Sequence, residues 1–549
     1  MARFSFLQIA AILPALAAPG VVRAQTALDR VDPSRVVEKA PKPAAPETQA
    51  PVDVPADGGT VAVGSAPITV GAVTLAGLQQ LHPSDFADIF EIYVGRTLSP
   101  AALGGLADAL AARARDRGYP FASATILPQS MVAGTIRVTM DEGRIDDIRL
   151  VGVKNDAALA ALTPLRGRSD VTLAELERRL LLAGDIDGLW LRRSRLVREG
   201  ERNILVVEMG SDPLSARIGI GNDGSRPVGP VQADVTVMVA QLLAEDDSLS
   251  LSAFATPVDP REFAYARLRY GKRVSTAGTE VSIAVSGSRT RPGAYLRDYD
   301  IAGRSWTVNV GVLQPLLRSR TGSLWLEGSF GLRTVKQERA DRLIRRDRLS
   351  VLRLGAYGFS PLAGGRLRAG VTVAQGIDLF DATQADDPLA SRRDADGTFT
   401  SISLWSEWSG AVAGPLSAQL GVASQKAFQP LLVSEETGLG GGSFLRGYDY
   451  SERSGDDGVM ASSELRLNVL DHAGPVSKPQ LYTFVDGGRV TNLENGFGTG
   501  TLFSAGGGVR ATLARTFSAD IGLAFPLSGL RYDSGDSDPV VNFRLSKRF

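Results

Sequence analysis

From about Leu214 to Phe549 the chain repeats with a period of two, and it does so for most of its 549 residues. Val281-Ile283-Val285, Trp306-Val308-Val310-Val312, Leu367-Ala369-Val371-Val373, Leu416-Ala418-Leu420-Val422 and Val541-Phe543-Leu545 are successive instances. The residues between them are Ser, Thr, Asn, Arg, Gly and Gln. One apolar face and one small polar face, repeated this often, suit a wall between lipid and water. The stretch accommodates sixteen strands at about 21 residues per strand with its turn, and an even count is what a closed bacterial barrel uses. A soluble sandwich or propeller would bury its alternating faces less uniformly and would not need the aromatic finish Phe543 to Phe549. The expected fold is therefore mainly β, with a 16-stranded antiparallel transmembrane barrel over residues 211–549.

What precedes the barrel is organised differently. Arg3, the apolar run Phe4 to Ala18 and the small residues around Ala24 read as an export signal over residues 1–24. No later run approaches the roughly 18 apolar residues of a spanning helix. Residues 25–66 read as a leader and linker, with Pro41, Pro43, Pro46, Pro51 and Pro55 among small and polar residues that cannot bury a core. A short helix is expected near Asp32, with Asp32 as its cap and Pro33 in the first turn. Residues 67–145 and 146–210 then read as two α+β units, each with the order β-α-α-β-β. The strongest helix is Pro100 to Arg117, with Leu103, Leu106 and Leu110 on one face and Gly118 ending it. Each small sheet presents an edge, and an edge is a template for an extended chain.

Composition excludes much chemistry. The 60 Lys and Arg balance 60 Asp and Glu, there is no Cys, and His82 and His472 are the two histidines. No basic-aromatic stripe points to nucleic acid, and no metal or cofactor is expected. Gly219-x-Gly221-x-x-Gly224 spells a dinucleotide fingerprint, but Pro227, Gly229 and Pro230 forbid the helix that would meet the phosphates, so it reads as a hairpin. Asp394, Asp396 and Gly397 suggest a calcium loop, but Trp405 stands where the last acidic ligand belongs. No nucleophile-base constellation is found, and enzymatic activity is not expected.

The last quarter holds the pattern that does stand out. Gly440-Gly441-Gly442-Ser443-Phe444-Leu445-Arg446-Gly447-Tyr448 occupies a long loop, and about forty residues on a strand reads Phe484-Val485-Asp486-Gly487-Gly488. In a partly desolvated lumen an arginine and an aspartate attract one another, and a bidentate pair would pin the loop inside the barrel. Arg446 capping a glycine turn in solvent is the blander alternative.

With these segments the chain resembles the two-partner secretion transporters of the FhaC/ShlB/HecB family, sisters of the BamA-type assembly factors. Leu445-Arg446-Gly447-Tyr448 is similar to that family's VRGY loop, with Leu in place of Val. Ser454-Gly455-Asp456-Asp457-Gly458, Glu464-Leu465, the Phe484-to-Gly488 segment and the terminal Phe549 match as well. Gly118-Tyr119 and Glu142-Gly143-Arg144-Ile145 are similar to the family's first POTRA domain. The resemblance implies two periplasmic POTRA domains that capture an unfolded exoprotein, haemolysin-like or adhesin-like, and a barrel that passes it to the surface. It implies Arg446 and Asp486 as a loop anchor, Leu445, Gly447 and Tyr448 as the loop motif, and Phe484, Gly487 and Gly488 as the barrel motif. It further implies Phe549 as an assembly signal, with outer-membrane lipid and the barrel-assembly machinery as partners. A BamA/TamA-like factor that assembles outer-membrane proteins is the alternative. A plain porin would not need residues 67–210.

Overall fold

The computed structural model describes residues 27–33, 52–53, 60–61, 67–129, 134–200, 202–442, 444–469, 472–473, 476–513 and 516–549. The export signal expected over residues 1–24 lies outside them. Helix α1 spans Ala27–Arg30, upstream of the helix expected from Asp32, and residues 34–38 are outside the described residues. The linker also contributes two short strands, β1 (Val52–Asp53) and β2 (Thr60–Val61).

In the first unit the strand expected over Ile68 to Leu75 is broken into β3 (Ile68–Thr69) and β4 (Ala72–Ala76). Helix α2 (Ala87–Tyr93), strand β5 (Thr97–Leu98) and helix α3 (Pro100–Asp116) follow, then β6 (Ser123–Ile126) and β7 (Thr135–Asp141). The start of α3 is set locally: Ser99 accepts a hydrogen bond from the Ala102 amide at 3.2 Å and Pro100 opens the first turn. Leu103, Leu106 and Leu110 are completely buried against Ile136 and Val138 of β7.

The second unit repeats the order with β8 (Asp147–Val151), α4 (Asp156–Leu162), α5 (Leu173–Gly184), β9 (Leu189–Glu199) and β10 (Arg202–Ser211). Asn155 and Thr172 cap its two helices. The units join where Glu142, buried at the end of β7, accepts hydrogen bonds from the amides of Gln79, Gln80 and Leu81. Gly143 follows at φ +93°, where a Cβ would lie 2.4 Å from that of Phe121.

Both sheets are four-stranded, ordered β2-β6-β7-β4 and β1-β9-β10-β8. Thr60 and Val61 run parallel to Thr125 and Ile126, while Val52 and Asp53 run parallel to Ser194 and Arg195. So the linker is more than a spacer: one edge of each sheet is covered by this chain's own strand. Strands β4 and β8 form the other edges.

The barrel begins with β11 (Leu214–Gly221), β12 (Gln232–Ala240), β13 (Asp247–Ala255), β14 (Phe263–Arg273) and β15 (Glu280–Thr290). It rises in the long strands β16 (Ile301–Arg318), β17 (Ser323–Arg339) and β18 (Arg342–Leu362), then continues through β19 (Gly365–Gly376), β20 (Thr400–Ala413) and β21 (Leu416–Ala427). A long loop carries the small pair β22 (Thr437–Leu439) and β23 (Arg453–Gly455). Strands β24 (Asp457–Asn468), β26 (Val476–Thr491), β27 (Gly500–Leu513), β28 (Phe517–Pro526) and β29 (Val540–Arg548) complete the wall, with a two-residue β25 (His472–Ala473) folded onto β26. The result is a closed, antiparallel, 16-stranded barrel. Its seam is β11 with β29, from Arg217 opposite Arg548 to Gly221 opposite Arg544.

The alternation sorts as expected. Ile283, Val285, Val310, Leu354, Leu404 and Ile521 are exposed on the outer face, while Ser, Thr, Asn, Gly and charged residues point inward. The second unit docks on the end of the barrel that carries the short turns. There Arg318 binds Asp185, Arg320 binds Glu177 at 2.8 Å, and Arg178 donates to the Leu316 carbonyl at 2.6 Å. The Gly219-to-Gly224 motif lies at the end of β11 and in the following turn, and what comes after it is a single 3-10 turn, Arg226–Val228, rather than an α-helix.

Candidate functional site

The loop between β21 and β24 folds back into the lumen and brings Arg446 against β26. Its Nε donates to Asp486 Oδ2 at 3.0 Å and its Nη2 to Asp486 Oδ1 at 2.9 Å, a bidentate fork. The Arg446 amide adds a third bond to Asp486 at 3.2 Å. Another guanidinium nitrogen meets Glu464, and Ser462 Oγ accepts at 3.2 Å. The guanidinium also lies over the Phe484 ring, 3.4 Å from its centroid. Arg446 therefore does not cap a turn in solvent: it is a largely covered cation, its side chain 13% exposed, with two carboxylates and an aromatic floor.

Strand geometry explains why these residues meet. Phe484, Asp486 and Gly488 alternate on β26 and face inward; Ser462 and Glu464 do so on β24, with Ser462 directly opposite Asp486 and Glu464 opposite Phe484. Asp486 is completely buried. A Cβ on Gly488 would fall 2.8 Å from Leu439 and 3.3 Å from Leu445, so its bareness lets the loop sit close to the wall. Gly487 faces outward, where a Cβ would strike the Phe503 ring at 2.8 Å.

The other loop residues hold by packing. Leu445 has φ +64° and is fully buried with Leu439, Tyr448, Met460, Val490 and Leu502. Its left-handed backbone turns Arg446 towards β26, a strained conformation for a non-glycine residue that the surrounding packing sustains. The Tyr448 hydroxyl accepts from the Ser528 amide at 3.0 Å. Gly447 passes within contact of β27 and β28. Asn542 on β29 donates to the Arg446 carbonyl at 3.0 Å, so the last strand of the barrel also grips the loop. In the similar segment after the loop, Asp456 is fully buried and accepts from Arg392 at 2.8 Å and from the amides of Leu431 and Leu493.

Phe549 lies apart from this cluster. It is 62% exposed, pairs through its amide with the Ala216 carbonyl at 2.9 Å, and stacks under Lys547. The sequence reading missed Glu464 as a partner of Arg446, although Glu464 sits inside a segment it had singled out. Beside the loop, whose Glu435 binds Arg333 at 3.1 Å, a cavity of about 570 Å³ is lined by Arg267, Arg269, Ser286, Thr307, Asn309 and Arg333, a polar wall.

A second occupant of the lumen carried only a weak signal in the sequence, the short helix expected near Asp32. Residues 27–33 sit at the end of the barrel away from the small units. Arg30 contacts Asp533 at 2.9 Å and Glu452 at 3.4 Å, and lies 4.5 Å from the Tyr532 ring centroid. Asp29 binds Arg345, Gln337 donates to the Leu28 carbonyl at 2.8 Å, and Val31 is buried with Val228, Phe263 and Leu296. Removing a partner from a buried ion pair costs about 3 kcal/mol. Arg30→Ala is therefore expected to loosen this segment and to lengthen open-channel times of the purified chain in planar bilayers. Unchanged open and closed times would show that the Arg30 contacts do not hold this segment in the lumen.

A family model described as haemolysin secretion/activation protein ShlB/FhaC/HecB matches residues 200–511, and a ShlB-type POTRA domain model matches residues 68–143. Among curated proteins, the chain is 23% identical over 470 residues to the heme/hemopexin transporter protein HuxB of Haemophilus influenzae, covering 82% of this chain and 81% of HuxB. It is 23% identical over 483 residues to the outer membrane transporter CdiB of Escherichia coli, covering 83% and 79%. Among solved structures, Escherichia coli CdiB superposes with a TM-score of 0.71 at 20% identity, covering 94% of this chain and 95% of that one. BamA of Haemophilus ducreyi lacking POTRA domains 1–3 gives 0.52 at 14% identity, covering 88% and 100%. The family model spans more than half of the chain, which belongs to the ShlB/FhaC/HecB family of haemolysin secretion/activation proteins.

Proposed function

We propose that this chain is the transporter half of a two-partner secretion system and that Arg446, held by Asp486 and Glu464, keeps the lumenal loop in its transport position. It is an outer-membrane transporter with its POTRA domains in the periplasm. Its partner is a secreted exoprotein, which arrives unfolded and is met by the POTRA sheets as an added strand. The polar lumen passes it outward, and folding outside removes the states that could slide back. The barrel-assembly machinery inserts the chain, with Phe549 in the terminal signal, and outer-membrane lipid surrounds it. No side chain does covalent chemistry: Arg446 is a positioning residue.

The family membership carries the transport reading, and the buried Arg446 cluster carries the loop's role. A BamA-like assembly role fits less well, since the match to CdiB is closer in fold and covers the chain more fully. Deletion of the gene tests the reading by quantitative proteomics of culture supernatant and outer membrane. Loss of one or two large exoproteins with an unchanged outer membrane is expected. A broad fall in barrel proteins would overturn it in favour of assembly.

A further inference from the structure

Four cations form an unbroken row on the outer face of the barrel. Arg289 on β15 pairs directly with Arg304 on β16, Arg304 with Lys336 on β17, and Lys336 with Arg346 on β18. Directly paired residues of antiparallel strands share a face. That face is the outside, because the flanking residues point inward: Ser288 and Thr290 donate to the carbonyls of Pro33 and Val31, Ser305 meets Ser288, Gln337 reaches Leu28, and Arg345 binds Asp29. At the roughly 4.8 Å strand spacing the row spans about 14 Å.

Like charges placed directly opposite one another destabilise a sheet. Here three such pairs follow in succession, with no ion pair to any of the four cations among the described residues. Arg348, two residues from Arg346 on the same face, is already matched by Asp381 at 2.9 Å. Glu338, two residues beyond Lys336, is the acid that shares the outer face of β17, on the side away from the membrane band. The row occupies a defined height. Trp306, 47% exposed, lies two residues from Arg304 towards the membrane, and Val308, Val310 and Val285 continue the lipid-facing band from there. The POTRA domains dock at the opposite end of the barrel, so the row faces the outer leaflet.

We propose that Arg289, Arg304, Lys336 and Arg346 form a binding site for the phosphate groups of an acidic lipid of the outer leaflet, one that carries two or more phosphates on a single headgroup. Charge complementarity selects an anion, and the span of the row selects one with separated charges. Its position directly above a Trp-bounded apolar band selects a molecule whose acyl chains lie along Val285 and Val310 while its headgroup meets the cations. Guanidinium forks suit phosphate oxygens in particular. The bound lipid removes the repulsion along the row and brings together the outer ends of β15 to β18, including the longest strands of the wall.

The test is native mass spectrometry of the purified full-length chain in detergent. It is titrated with lipid A carrying both phosphates, with the same lipid A after phosphatase treatment, and with inorganic phosphate as competitor. The fourfold variant Arg289→Gln/Arg304→Gln/Lys336→Gln/Arg346→Gln is compared with the double variant Arg304→Gln/Lys336→Gln, which keeps the test usable should the fourfold variant not fold. The phosphorylated lipid is expected to bind the unaltered chain at least about tenfold more tightly than the fourfold variant, with the double variant between them. Dephosphorylated lipid A is expected to bind every form weakly, and millimolar phosphate to displace nothing. Equal retention of the phosphorylated lipid by all forms would overturn the site. So would equal binding of both lipids to the unaltered chain. Displacement by inorganic phosphate would reduce the row to a general anion patch and overturn the lipid assignment.

Discussion

Replacing Arg446 by alanine is expected to lower exoprotein secretion at least about tenfold while the barrel remains in the outer membrane at its normal level. The physical reason lies in what the side chain leaves behind. Asp486 is completely buried and, among the described residues, loses its ion pair with the guanidinium, while Glu464, nearly as buried, keeps Arg466 at 2.7 Å and Arg510 at 3.0 Å. Breaking a buried ion pair from one side costs about 3–5 kcal/mol, and the loop escapes that penalty by leaving its seat. The barrel does not depend on the loop for closure, since its ladder runs unbroken from β24 to β26 and across the seam. Arg446→Lys is expected to recover only part of the activity. A lysine keeps the charge, but it cannot make the fork to Asp486 and reach Glu464 together, and it stacks less well on Phe484. Secretion is measured against barrel abundance and heat-modifiable mobility in the same cells. Full secretion by Arg446→Ala would remove the loop from the account.

Gly447→Val is expected to damage secretion as severely without touching a charge. A Cβ at this position would lie 3.0 Å from the Pro526 nitrogen and the Ser504 Cβ, and 3.1 Å from the Phe525 carbonyl carbon. Those atoms belong to the barrel wall and cannot give way by much. Alanine is tolerated through a shift of a few tenths of an ångström, whereas the two γ-methyl groups of valine push the loop off the wall. Overpacking of this kind costs about 1–3 kcal/mol, and it moves the backbone next to Arg446. Gly447→Ala is therefore expected to secrete within a few-fold of normal and Gly447→Val at a tenth or less. Equal activity of the two would mean that close contact between loop and wall is not required.

The barrel was legible because a period of two over some 330 residues leaves few alternatives. The small units were legible because α3 carries its own cap, its Leu103-Leu106-Leu110 stripe and its stop. In the loop, Arg446 and Asp486 stood out as residue types in an unusual setting. Their geometry was not legible: that Glu464 and the Phe484 ring complete the seat depends on the register of β24 against β26, which pairs them directly. The contacts of the leader were not legible for a related reason. Ala27 to Arg30 is too short for any periodicity, and its partners Arg345, Glu452 and Asp533 lie hundreds of residues away. Two-residue strands such as Val52–Asp53 carry no pattern of their own and exist because a neighbouring sheet edge accepts them. The row Arg289, Arg304, Lys336 and Arg346 escaped in the same way: its spacing along the chain is irregular, and only strand pairing makes it a line.

The most direct measurement is a double-mutant cycle on secretion, with Arg446→Ala, Asp486→Ala and the two together, each normalised to barrel level. If the pair acts as one unit that holds the loop, either single change releases it and the double variant secretes no less than the weaker single one. Losses that multiply, so that the double variant falls well below both, would mean that the two residues serve transport separately and would contradict the anchor.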